Sequence, residues 1–152
     1  MLKRIPPLFT PDALHALASM GHGDDLVIVD ANFPAARVAA AHGARLVQLP
    51  GADAPAVLRA VLQLMPVDDF EPAAARFMEV VGDATALPPP VAAFQQHLQA
   101  AGVPAAQGVE RHAFYALASR AFVILRTGER RPYGNLLLRK GVVRDADLEG
   151  LA

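Results

Sequence analysis

Four places in the chain carry residue types and spacings suited to chemistry. Gly21-His22-Gly23-Asp24 sets an imidazole, which exchanges protons near neutral pH, between two residues that tolerate unusual backbone angles and close approach. That combination suits proton transfer. The alternative is a glycine turn in which His22 only bonds the backbone. Asp24 or Asp25 could hold the imidazole tautomer, or either could be a solvated charge. Asp30 follows the apolar residues 26–29 and precedes Ala31-Asn32-Phe33-Pro34. A carboxylate there can accept hydrogen bonds from two hydroxyl groups, fix a histidine, or close a turn. Asn32 reads as a helix cap and Phe33 as a core anchor.

Arg111, in Glu110-Arg111-His112, offers five donors in a rigid fork, enough to hold a polyhydroxy ligand or to pair with Asp30. The alternative is a surface arginine or a salt bridge between subunits. Tyr133-Gly134-Asn135 lies between the charged GERRP stretch and an apolar LLL run. The phenol can exchange a proton through a hydrogen bond, Gly134 admits a close ligand, and the Asn135 amide both donates and accepts. Its alternative is a turn into a strand with Tyr133 filling an interface. His112 has no specifying neighbours, and His42 and His97 fall near helix ends.

Several chemistries lack their motifs. There is no GxGxxG after residues 26–29, no Walker lysine loop, no HExxH or compact histidine cluster, and no GxSxG elbow. Zero cysteines remove thiolate catalysis, disulfides and cysteine metal sites together. Neither a metal nor a nucleotide cofactor is expected. The basic residues between 126 and 140 have acidic neighbours and no interleaved aromatics, a poor pattern for nucleic acid.

The elements that must position these groups alternate between helix and strand. Thr10 caps a first helix with Pro11 at its first position, ended by Gly21. A strand over 26–29 leads through Asn32 to Pro34 into a helix over 35–42, stopped by Gly43 before a strand over 46–49. This is a βαβ unit with parallel strands and a right-handed crossover. Asp53 caps a helix carrying Val57, Leu58, Val61, Leu62 and Met65, closed by Pro66. A strand over 77–81, helices over 91–100 and 109–120, and a strand over 121–125 follow. Thr127-Gly128-Glu129 then makes a hairpin-like turn toward a last strand over 135–138. Strands apolar on both faces are those of a largely parallel sheet covered by helices. The predicted class is a Rossmann-like three-layer α/β/α fold, with functional groups just beyond strand ends.

The 152 residues suffice for one domain, 1–152, with a substantial core. A hydrophobic fraction of 53% excludes a disordered polymer, while 19% charged residues is low enough to suggest surface hidden in an oligomer. Fourteen basic against fifteen acidic residues supply no drive toward nucleic acid or anionic membranes. MLKRIPPLF makes a poor signal peptide and no apolar run spans a bilayer, so the expected location is cytoplasmic.

Taken in order, GHGD, Asp30 to Pro34, Glu110-Arg111 with Phe114-Tyr115, and Tyr133-Gly134-Asn135 before LLLRKGVV resemble the RbsD/FucU family of sugar mutarotases and pyranases. The resemblance spans residues 1–143 and is closer to the L-fucose mutarotase branch than to the D-ribose pyranase branch. It implies cofactor-free interconversion of the anomers of a free monosaccharide by general acid and base through the open-chain form. It also implies an α/β domain assembled as a homodecamer with active sites shared between adjacent subunits. By position, His22 is the proton-transfer residue, Asp30 and Arg111 bind sugar, and Tyr133, Gly134 and Asn135 line the pocket, with Tyr133 a second candidate for proton transfer. The competing class is a noncatalytic monosaccharide-binding accessory protein using the same pocket.

Overall fold

Thr10 opens the first helix as its sequence predicts: the Oγ1 accepts the Ala13 N–H at 3.2 Å, and Pro11 occupies the first turn of α1 (Pro11–Ser19). In the computed structural model, which describes residues 2–150, α1 stops before Met20, short of Gly21. β1 (Asp25–Val29) runs into α2 (Ala35–His42), which ends where Gly43 adopts the left-handed conformation at φ 77°. β2 (Arg45–Leu49) and α3 (Ala54–Leu62) follow, with Asp53 Oδ1 accepting the Ala56 N–H. α3 is shorter than its apolar pattern, which continues to Met65.

The second half departs further from expectation. β3 is Ala75–Met78 rather than 77–81, because the chain turns at Val80 to Asp83. α4 (Pro89–Ala100) leads to a short strand, β4 (Gln107–Val109), which the sequence pattern assigns in part to a helix. The helix itself, α5 (Arg111–Ser119), begins only after Glu110, whose carboxylate caps the His112 and Ala113 N–H groups. β5 (Val123–Thr127) and β6 (Leu136–Arg139) complete the sheet.

The six strands lie in the order β2-β5-β1-β6-β3-β4. β5 pairs in parallel with both β1 and β2, and β3 with β4, while β6 is antiparallel to β1 and β3. The sheet is therefore largely parallel, with one reversed strand. β1 and β2 run the same way as expected of the βαβ unit, but β5 lies between them. The turn after Thr127 makes no hairpin for the same kind of reason: β1 separates β5 from β6, with Leu26 facing Val123 on one side and Leu138 on the other.

Alternate side chains of the central strands go to opposite layers. Leu26, Ile28, Val123, Leu125, Leu136 and Leu138 join the core formed with α1, α3 and α4. Val27, Val29, Ile124 and Leu137 join the core formed with α2 and α5. Helices cover both faces, which gives the three layers and explains why these strands are apolar throughout. Among the described residues, no helix is long and apolar enough to cross a membrane.

Candidate active site

Parallel strands end at one rim of the sheet, and β6, being reversed, begins there. Asp30 leaves β1, Arg111 follows β4, and Tyr133-Gly134-Asn135 enters β6 at this rim. The Asp30 side chain is 3% exposed for the residue as a whole, and its Oδ1 accepts the Asn32 and Phe33 N–H groups. Asp30 thus does close a turn, and Pro34 is the N-cap of α2, with no side-chain capping bond, so Asn32 is not the cap its sequence suggests. Asn135 donates its amide to Asp30 Oδ2 and accepts the Asp30 N–H on Oδ1, both at 3.0 Å. Burial pushes the Asp30 carboxyl above its ordinary range, opposed by hydrogen bonds from Asn32, Asn135, Phe33 and Gly134.

The four donors match the about four lone-pair directions of an ionised carboxylate, so a ligand hydroxyl at Asp30 would share or displace one of them. A cleft of about 230 Å³ opens beside it, lined by Asp30, Asn32, Arg111, Tyr115, Tyr133 and Asn135 among others. Arg111 shares this cleft but forms no ion pair with Asp30 among the described residues. Its Nε is buried without a hydrogen-bond partner, an arrangement whose cost a polar ligand would remove. Phe33 is the core anchor expected, buried against Phe114 and Tyr115.

Tyr133 has φ 63°, a left-handed backbone uncommon outside glycine and characteristic of functional loops. Its hydroxyl oxygen accepts the Val81 N–H at 3.2 Å, leaving the hydroxyl hydrogen free to donate. Gly134 is required for contact reasons: an added Cβ would lie 2.8 Å from Glu129 Cγ and 3.4 Å from Asp30 Cβ. Glu129 is itself buried and holds Arg131 through the backbone N–H, Nε and Nη2. Its backbone carbonyl accepts the Ala31 N–H, tying this loop to the one after β1.

His22 stands apart. It precedes β1, so the five residues of that strand separate it from Asp30 by about 17 Å, and Asp30 does not fix it. Asp24 accepts the Gly21 N–H and Asp25 pairs with Arg139, so neither holds the imidazole. The partner is Asp68, whose Oδ1 lies 3.1 Å from His22 Nε2; the His22 side chain is 50% exposed and that of Asp68 2%. No local signal marks Asp68, which is 46 residues away in sequence. His112 is exposed beside Tyr115, His42 closes α2, and His97 lies in α4. Several basic residues of the 126–140 segment are engaged internally: Arg131 by Glu129, Arg139 by Asp25 and Glu71, and Lys140 by the Leu17 and Met20 carbonyls.

A model of the RbsD / FucU transport protein family matches residues 3–143. The fucose mutarotase of Bos taurus is 40% identical over 151 residues, covering 97% of this chain and 98% of that protein. That of Homo sapiens is 42% identical over 146 residues, covering 93% and 94%. Among solved structures, the fucose mutarotase of Streptococcus pneumoniae in complex with L-fucose superposes with a TM-score of 0.85 at 34% identity, covering 94% of this chain and 100% of that chain.

Proposed function

The chain belongs to the RbsD/FucU transport protein family, and on that premise we propose that it is a mutarotase interconverting the α and β anomers of L-fucose. The observation that carries this reading is the convergence of Asp30, Arg111, Tyr133 and Asn135 on one open polar cleft. Asp30 and the Arg111 fork would hold sugar hydroxyls, and Asn135, locked against Asp30, would orient them. Gly134 brings the backbone close. The chemistry needs only proton movement. The anomeric hydroxyl gives up its proton as the ring oxygen gains one, the bond from ring oxygen to anomeric carbon breaks, and rotation followed by the reverse transfers closes the ring on the other carbonyl face. Orientation of the open chain supplies the rest of the advantage.

We assign proton transfer to His22, with the Tyr133 hydroxyl as the second exchanging group. The separation of His22 from Asp30 within one copy supports a site shared between neighbouring copies: the His22 rim of one subunit would meet the Arg111–Tyr133 rim of the next. A ring-like homodecamer is the assembly proposed, with the 152-residue chain acting as one domain in the cytoplasm. Exchange NMR on L-fucose tests the activity. Cross-peaks between anomers should build up faster with protein than without, and faster than for D-ribose. Binding without acceleration would favour the accessory-protein reading, and acceleration confined to D-ribose a pyranase-type activity.

A further inference from the structure

We infer that Asp68 is a positioning residue for the reaction, holding His22 through Nε2 so that Nδ1 is the nitrogen that exchanges protons with sugar. This rests on the assignment of His22 to proton transfer. The contact itself is 3.1 Å between His22 Nε2 and Asp68 Oδ1, made by a carboxylate that is buried and an imidazole that is half exposed. The Phe70 and Glu71 N–H groups also donate to Asp68. An acceptor-only carboxylate so held requires a donor at Nε2, which in the neutral ring leaves the lone pair on Nδ1. Phe70 packs a tilted ring against His22 at a centroid distance of 5.4 Å, restricting the imidazole from another side.

Both loops hang on the same short segment. Gly23 donates its N–H to the Lys140 carbonyl, and Lys140 donates its own to Asp24, which fixes the His22 loop. Asp68 donates its N–H to the Arg139 carbonyl, Val67 bridges Lys140, and Gly141 donates to the Pro66 carbonyl, which fixes the Asp68 loop. Two segments distant in sequence are thus brought into one frame, in which His22 meets both Asp68 and Phe70, with Asp68 its hydrogen-bonding partner. Buried carboxylates that orient a catalytic imidazole act through tautomer and ring orientation without touching substrate.

The other charged groups around His22 are committed elsewhere. Asp24 accepts the Gly21 N–H, Lys140 Nζ lies on the Leu17 and Met20 carbonyls, and Arg139 sits between Asp25 and Glu71. Asp69 pairs with Arg144. Asp68 is the carboxylate in contact with the ring.

Nitrogen-resolved NMR of the full chain, combined with L-fucose exchange kinetics, tests the inference. Neutral His22 should carry its proton on Nε2. In Asp68→Asn, the neutral His22 ring should no longer be confined to the Nε2–H tautomer. The same substitution should lower kcat at least about tenfold while KM stays within about twofold. A proton on Nδ1 of the neutral ring in the unsubstituted chain overturns the inference, and that observation needs no variant to fold. So does an Asp68→Asn protein whose His22 tautomer and kcat both match the parent. Exchange that survives His22→Ala brings down the acid–base assignment, an outcome separable from loss of the Asp68 role alone.

Discussion

Asp30 and Asn135 hold each other through two reciprocal hydrogen bonds of 3.0 Å, main chain to amide oxygen and amide nitrogen to carboxylate. The pair joins the exit of β1 to the entry of β6 across 105 positions of sequence. It sets the orientation of the buried carboxylate and the amide together.

Asn135→Ala removes both bonds and leaves the Asp30 carboxylate and main-chain N–H without this partner. The expected cost is about 1–3 kcal/mol of stability, read as a lower denaturant midpoint with unchanged slope. Sugar saturation should weaken in parallel. An unchanged midpoint would show that solvent replaces the amide at no cost.

Gly134→Ala puts a methyl group against Glu129 and Asp30. Overpacking of a buried site costs about 1–3 kcal/mol, and displacement of Asp30 should reduce exchange more than the stability loss alone accounts for. Equal activity per folded molecule would mean that the contact relaxes away from the cleft.

Glu129 and Asp30 should contribute to the pH dependence of stability with opposite signs. Hydrogen bonds from Arg131 hold the Glu129 carboxyl below its ordinary value of 4.5, against the upward push of burial. Its contribution is complete above that ordinary value and lost as pH falls through the lowered folded value. Burial raises Asp30 above its ordinary 3.8, so its contribution is present below 3.8 and lost as pH rises through the raised folded value. Thermal melts of Glu129→Gln should lie below the parent at pH 7 and approach it in acid. A gap that is the same at both ends of the scale would contradict the assignment.

A site shared between copies, as proposed, would make complementation possible. His22→Ala and Arg111→Ala should each abolish or cripple exchange alone. Coassembled after mild dissociation, they should regain activity at about a quarter of the interfaces, those pairing an intact His22 with an intact Arg111. Mixtures as inactive as their parents would place both residues' work within one copy.

Much of the fold was legible because local signals agreed with tertiary need. Pro34 and Gly43 bracket α2, Asp53 starts α3, and the unbroken apolar character of residues 26–29 marks a strand covered on both faces. The misreadings arise where local pattern and long-range pairing part. The apolar character of 77–81 continues past the residues that find a neighbour, and β4 has only three residues, one of them Gly108. The turn at Gly128 resembles a hairpin because nothing local reveals that β1 will intervene. At the site, the residues before and after strands were visible by type. Asp68 was not, since its relation to His22 exists only through the frame at Lys140.

The reversed strand has a consequence for how the molecule comes into being. β2-β5-β1 and β3-β4 are two parallel blocks that share no ladder, and β6 alone bridges them. It is also the last strand to be synthesised. Without residues 136–139 in place, the facing edges of β1 and β3 would be open, the kind of surface that invites pairing with other chains. The same strand carries Asn135 to Asp30, so the piece that closes the sheet is also the piece that completes the buried pair at the cleft.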